Sequence, residues 1–147
     1  MGDSFLADIP GNFFIQKLGS YAAVASGGAG SLQLDSAFVA PADIKIVSAW
    51  RFVNAAEVTV GTATSSASYR RMNLLNGGTA GSGTVIMASL NATASASATT
   101  ARAFVTTANN TAPAGAIIYA SHLTVGAATA DGTDMAAGFV QIAFELL

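Results

Sequence analysis

The sequence predicts an all-β protein, a two-sheet antiparallel β-sandwich of jelly-roll type with an extended N-terminal arm. The apolar windows alternate with period two, which is typical of strands that bury one face. Turn-forming segments rich in Gly, Ser, Thr and Asn separate these windows at the short intervals found in sandwiches. The length of 147 residues is that of one domain. We therefore expect an arm over residues 1–14 and a single sandwich domain over residues 15–147.

The clearest alternation runs through residues 43–53, DIKIVSAWRFV. Strict alternation places four apolar side chains on one face, namely Ile44, Ile46, Trp50 and Phe52. It places the two cations on the other face with two small apolar residues, namely Lys45, Arg51, Val47 and Ala49. This segment is predicted to be a central strand whose aromatic side chains lie in the core.

Other segments alternate in the same way. Residues 138–146 turn Val140, Ile142 and Phe144 inward, and residues 116–125 place His122 opposite an apolar face. The remaining predicted strands cover residues 13–18, 32–38, 57–60, 69–75, 84–90 and 101–106. The segments between them that favour turns cover residues 26–31, 76–83, 91–100, 107–115 and 126–138. The predicted core includes Trp50, Phe52, Val140, Ile142 and Phe144.

Composition excludes several classes of function. The net charge is −2, only 10% of residues are charged, and the six basic residues are scattered, so no basic surface for nucleic acid is expected. Hydrophobic residues make up 52% of the chain, yet no apolar run approaches the twenty residues of a spanning helix, so no membrane segment is expected. The N-terminus has no signal-peptide pattern. There is no cysteine, which excludes disulfides and thiolate metal sites.

No motif indicates catalysis. His122 is the single histidine, and its neighbour Ser121 points to the opposite face of a strand, so no catalytic triad is expected. Asp131 and Asp134 lie in a DGTD segment but lack the rest of a calcium loop. The protein is predicted to be no enzyme, with no catalytic residue, no cofactor and no metal site.

Two groups of residues are candidates for partner binding. The arm carries the apolar residues Phe5, Leu6, Ile9, Phe13 and Phe14 in a segment broken by glycine and proline. It either pads an edge of its own domain or docks on a neighbouring subunit. The second group is Arg70 and Arg71, the one local concentration of positive charge, which is expected near a sheet edge or an interface.

Three segments carry a resemblance to a known family: residues 69–90, YRRMNLLNGGTAGSGTVIMASL; residues 112–126, APAGAIIYASHLTVG; and residues 136–146, AAGFVQIAFEL. Together they resemble β-sandwich structural proteins of tailed bacteriophages, particularly small capsid decoration (cement) and head-fibre proteins. The resemblance covers about residues 40–147. It implies a jelly roll that binds the major capsid protein on the outer capsid surface of the virion, forms a homotrimer and reaches neighbours with its arm.

An alternative interpretation is a receptor- or glycan-binding module of a phage fibre or tail. It would use the loops at residues 91–100 and 107–115. These loops offer Asn109 and Asn110 but no aromatic platform for a sugar, and Trp50 is expected in the core. Attachment to a capsid and attachment to a tail or fibre both stay open at this point.

Overall fold

The computed structural model describes residues 12–21, 32–54, 69–92, 101–125 and 137–147. These residues form ten strands and no helix: β1 (Phe13–Tyr21), β2 (Leu32–Val39), β3 (Ile44–Val53), β4 (Tyr69–Asn76), β5 (Val85–Ala92), β6 (Arg102–Ala103), β7 (Val105–Thr106), β8 (Thr111–Ala112), β9 (Ile117–Val125) and β10 (Gly138–Leu146). The predicted all-β class is confirmed. The predicted strand at residues 57–60 lies outside the described residues.

The strands form two antiparallel sheets. The first has the order β1-β10-β3-β6, with β8 also paired to β3, and the second has the order β2-β9-β4-β5-β7. The first and last strands are therefore neighbours in one sheet, and the second and ninth are neighbours in the other. The chain alternates between the sheets from β1 to β4, and β4 and β5 form a hairpin. This connectivity is that of a jelly roll, as predicted.

The core lies between the sheets and is aliphatic for the most part. The first sheet contributes Leu18, Ile44, Ile46, Ala49, Val140, Ile142 and Phe144. The second contributes Met72, Leu74, Met87, Ala88, Leu90, Ile118 and Ala120. The predicted inward positions Val140, Ile142 and Phe144 are confirmed by their burial.

The predicted faces of β3 are wrong beyond Ile46. Ile46 lies opposite Phe144 and Ser48 lies opposite Ala143, so Val47 is an extra residue in β3. Such a β-bulge shifts the alternation by one position, and every later side chain changes face. Ala49, Arg51 and Val53 are consequently buried. Trp50 and Phe52, predicted in the core, lie on the outer face and are only half-buried.

Arg51 is the largest fully buried side chain among the described residues. Its Nε donates a hydrogen bond to the hydroxyl of Tyr21, and its guanidinium carbon lies 5.7 Å from the centre of the Tyr21 ring. Gly138 lies beside this pair. Only glycine fits at this position, because a Cβ would overlap the carbonyl oxygen of Phe52 and lie 2.9 Å from the Tyr21 hydroxyl. A buried charge is tolerated only when such partners surround it.

The hairpin between β4 and β5 turns through the predicted glycine-rich segment. Gly78 has a φ of 64°, which favours glycine, and its amide donates to Oδ1 of Asn76 at 2.8 Å. A Cβ at Gly83 would lie 2.9 Å from the carbonyl oxygen of Asn76, so the backbone is too close for a side chain. The hydroxyl of Tyr119 donates to the carbonyl of Gly83 at 2.8 Å. The loop is thus attached to β9 as well as to its own hairpin.

Two of the predicted arm residues belong to the first strand. Phe13 and Phe14 pair with Glu145 and Phe144 of β10. The Phe14 ring stacks on Phe144 with centroids 5.5 Å apart and packs against the core. Residues 1–11, with Phe5, Leu6 and Ile9, lie outside the described residues, so the role of the arm stays a prediction.

The position of Trp50 can be tested by fluorescence, since it is the only tryptophan. We expect iodide to quench its emission in the free protein because the indole lies on the outer face of β3. Trp50→Ala should cost clearly less than the roughly 3–5 kcal/mol that truncation of a core aromatic residue costs. Emission shielded from iodide in a monomeric preparation would contradict this placement.

The Arg51–Tyr21 pair predicts a second measurable effect. Tyr21→Phe removes a hydrogen-bond acceptor from a fully buried guanidinium, so we expect the free energy of unfolding in urea to fall by about 1–3 kcal/mol. Lys45→Met is the matched control because its ion pair with Glu145, at 3.1 Å, is between partly exposed side chains. That control should cost no more than about 1 kcal/mol. Equal losses for the two variants would show that the buried pair is not special.

Candidate interaction surfaces

The outer face of the first sheet carries three aromatic side chains on its two central strands. Phe139 pairs with Phe52, and Gln141 pairs with Trp50, so all four side chains point away from the core. The Phe52 and Phe139 rings stack with centroids 4.9 Å apart and an interplanar angle of 13°. Trp50, Phe52 and Phe139 are half-buried. The bulge at Val47 therefore creates an aromatic cluster on the surface.

Aliphatic side chains extend this cluster. Ile15 on β1 is 60% exposed, and Val47 at the bulge is 43% exposed. We call the surface formed by Ile15, Val47, Trp50, Phe52 and Phe139 the aromatic face. Within it, the ammonium group of Lys17 lies 4.2 Å from the centre of the Phe139 ring, a cation–π contact.

This composition is unusual for a sheet face that borders water. Antiparallel sheets with one buried face normally show polar side chains on the other. Aromatic side chains are enriched at protein interfaces, where they supply large buried area at little conformational cost. The aromatic face thus has the chemistry of a surface that binds another protein. Phe139 directly precedes the buried Val140 on β10, so the alternation along this strand predicts that its side chain points outward.

The outer face of the second sheet carries a groove of about 470 Å³. It lies over β4, β9 and the start of β5 and is lined by Asn73, Leu75, Thr84, Ile86, Tyr119, Ser121 and Leu123. We call it the second-sheet groove. Asn73 and Ser121 are directly paired across β4 and β9 and are 3% and 8% exposed. Nothing in the sequence pattern singled out this pair, because a polar residue between apolar neighbours is usual on an outer face.

The two arginines lie at one end of β4. Arg71 pairs with Asn91 and Leu123 on the outer face of the second sheet, and its Nε donates to Oδ1 of Asn91 at 2.9 Å. Arg70 pairs with Ala92 and Thr124, one position along. β4 is a central strand, so neither arginine lies at a sheet edge, and a place at an interface stays a prediction. The arginines and the aromatic face are on different sheets.

His122 lies on the inward face of β9 and is 1% exposed. Its register partner on β4 is Met72, which in turn pairs with Leu90 on β5. The apolar residues Ile117, Tyr119 and Leu123, which lie on the opposite face of β9, point outward. The histidine is therefore a core residue of the second sheet, away from both surface candidates.

The loop at residues 107–115 is fastened to the sandwich. The backbone and the side chain of Asn110 bond both polar backbone groups of Ile46, at 2.7 and 2.9 Å. Asp43 accepts a hydrogen bond from the amide of Ala114 at 2.9 Å. These contacts give Asn110 a structural role. Residues 93–100 of the other loop in the alternative interpretation lie outside the described residues, so that interpretation stays a prediction.

Asp131 and Asp134, the carboxylates of the DGTD segment, lie outside the described residues. Within residues 12–21, 32–54, 69–92, 101–125 and 137–147, no cluster of three or more His, Asp or Glu side chains is arranged to hold a metal ion. No helix in these same ranges has the length and hydropathy to cross a lipid bilayer.

Comparison with known proteins adds little. No protein-family model matches the chain, and no curated protein matches it significantly. A chain in a solved structure described as "Structure of infectious bursal disease virus Gx strain" aligns with 93% of this protein at 11% identity and a TM-score of 0.35. The alignment covers 32% of that chain. Similarity at this level carries no argument about fold or function, so both are argued from the structure of this chain.

The placement of His122 predicts the effect of its removal. His122→Ala should lower the free energy of unfolding by about 2–4 kcal/mol, because it leaves a cavity beside Met72 and Leu90. It should leave surface binding unchanged where the variant is folded. Loss of binding in a folded variant, judged by an unchanged far-ultraviolet spectrum, would show that His122 acts beyond the core.

Proposed function

We propose that this protein is a non-enzymatic structural protein of a virion. In this proposal it is a bacteriophage decoration (cement) protein that binds the major capsid protein on the outer surface of the capsid. The aromatic face is the main contact surface. The protein acts as a homotrimer without a cofactor, and it contacts neither nucleic acid nor membrane.

The observation that carries the proposal is the aromatic face. Three half-buried aromatic rings and two exposed aliphatic side chains lie on one side of a domain whose sequence is only 10% charged. A partner that covers this surface removes apolar area from water, which stabilises the complex by about 25 cal/mol per Å² of buried apolar area. A single domain in solution lacks this stabilisation. A protein partner on this face is therefore the simplest account of why these side chains point outward.

The fold supports the proposal. Jelly rolls occur in viral capsid proteins, where a rigid sandwich presents its faces to neighbouring subunits. Rigidity matters because an ordered surface loses little conformational entropy on binding. The stacked Phe52 and Phe139 rings and the paired central strands supply that order. Many copies on one shell then add modest contacts into a large total stabilisation.

The two predicted contact groups have different places in this proposal. In the proposal, the arm residues Phe5, Leu6 and Ile9 extend the contact beyond the sandwich, because they precede Phe13, the first residue of β1. That strand lies at the edge of the first sheet, next to β10 and the aromatic face. Arg70 and Arg71 lie on the second sheet and are left outside the main contact. The trimer in this proposal rests on the resemblance described above.

The decisive experiment compares two charge insertions. Ile15→Asp places a carboxylate on the aromatic face, and Val105→Asp places one on β7 of the other sheet, where the side chain is 73% exposed. Both sites are exposed β-branched residues on short or edge strands, so the cost to folding should be small for both. We expect Ile15→Asp to reduce co-sedimentation with shells of the major capsid protein at least about tenfold, since a desolvated charge costs several kcal/mol. Val105→Asp should bind like the parent protein.

Two further measurements accompany this comparison. Light scattering of the parent protein should give three times the chain mass of 14.6 kDa. Trp50 emission should become shielded from iodide on the shell. Full decoration by Ile15→Asp, or unchanged quenching of Trp50 on decorated shells, would refute the aromatic face as the contact.

A further inference from the structure

The second-sheet groove contains a buried polar group that the fold does not use. Asn73 is 3% exposed, and its Oδ1 is buried with no hydrogen-bond partner within the described part of the chain. An unsatisfied buried acceptor costs about 1–3 kcal/mol compared with a satisfied one. Leucine has the same number of side-chain heavy atoms with the same branching at Cγ, and it would avoid this cost. Asn73 therefore has a feature that folding alone does not explain.

The surroundings of Asn73 are those of a site for a small ligand. The groove volume of about 470 Å³ lies within the range typical of small-molecule sites. Its walls include Leu75, Ile86 and Leu123. Besides Tyr119, whose hydroxyl donates to the carbonyl of Gly83, its polar residues are Asn73, Thr84 and Ser121. A largely apolar wall with a few convergent polar groups is the usual composition of such sites.

The described lining suits a neutral ligand that donates hydrogen bonds. None of the seven described lining residues is charged, and Arg71, which pairs with Leu123 on the same face, already donates to Oδ1 of Asn91. The described lining therefore suits a neutral ligand better than an ion. The free atom of Asn73 is an acceptor, which requires an O–H or N–H from the ligand. The three polar groups lie among aliphatic side chains, so the ligand needs both hydroxyl groups and an apolar C–H surface.

The topology argues against an extended peptide. Peptides that add to sheets bond to the backbone of an unpaired edge strand. Here β4 lies between β9 and β5, and β9 lies between β2 and β4, so the two strands that carry most of the groove are paired on both sides. Recognition must therefore come from side chains. A sugar ring, with hydroxyl donors at its rim and C–H groups on its faces, matches that requirement.

We propose that the second-sheet groove binds a neutral carbohydrate of one or two sugar residues, with a sugar hydroxyl donating to Oδ1 of Asn73. The site lies on the sheet opposite the aromatic face. It would leave the sugar accessible when the aromatic face is covered, so capsid attachment and sugar binding are independent and can be tested separately.

The test uses the full-length protein and defined probes. The probes are the methyl glycosides of glucose, galactose and N-acetylglucosamine, together with maltose and lactose. Each is titrated into isotope-labelled protein while amide resonances are followed by NMR. We expect at least one probe to shift the resonances of Asn73, Ser121 and Leu123 in a saturable way, with millimolar affinity typical of such small contacts.

The key variant is Asn73→Leu, with Gln141→Leu as the control. Gln141 is a half-buried polar residue on a central strand of the other sheet, beside the aromatic face. Asn73→Leu should weaken probe binding at least about tenfold and also raise the melting temperature, because it removes an unsatisfied buried acceptor. Gln141→Leu should leave probe binding unchanged.

Several outcomes would overturn the proposal. A lower melting temperature for Asn73→Leu would show that Asn73 has a structural role. Failure of all five probes to shift the groove resonances would exclude the sugar class. Shifts at these resonances caused instead by a synthetic peptide of residues 3–12 would identify the groove as a docking site for the arm. None of these outcomes bears on shell binding by the aromatic face.

Discussion

The β-bulge at Val47 is the feature on which both faces of the first sheet depend. It adds one residue to β3 opposite the junction of Ala143 and Phe144. Before the bulge, Ile44 and Ile46 fill the core, and after it the odd-numbered side chains do so. Without the extra residue, Arg51 would point to solvent and Trp50 would enter the core. One backbone irregularity thereby exchanges an aromatic side chain for a guanidinium in the interior and places the aromatic side chain on the outer face.

The core has to accommodate that exchange. A fully buried guanidinium is stable only with hydrogen-bond and π partners, and Tyr21 supplies both from the end of β1. Gly138 keeps the neighbouring backbone close enough for this contact, since no side chain fits there. Stability at this end of the sandwich thus depends on polar contacts, whereas the other end depends on Ile44, Ile46 and Phe144. The outward position of Trp50 and the burial of Arg51 both result from the pairing register of β3 and β10.

The two outer faces differ in a way that separates their proposed roles. The aromatic face is broad and apolar, and its gain on binding comes from removing area from water. The second-sheet groove is small and contains the unpartnered acceptor of Asn73, so the proposed gain on binding comes from one or a few hydrogen bonds and close packing. A jelly roll permits both because its two sheets share a core but present opposite surfaces. In the proposed particle the first face would be covered and the second exposed.

The sequence by itself determined the fold class, since period-two alternation and glycine-rich turns leave few alternatives to a two-sheet sandwich. It also determined the inward positions Val140, Ile142 and Phe144 of β10, because no irregularity interrupts the inward alternation along that strand. The outward position of Trp50, the burial of Arg51 and the inward position of His122 were decided only by the tertiary structure. A β-bulge cannot be recognised from the spacing of apolar residues in the sequence. When both faces of a strand carry apolar residues, which face is buried depends on its packing against the other sheet. The groove at Asn73 has the same origin, because it is formed by residues from three strands that only register brings together.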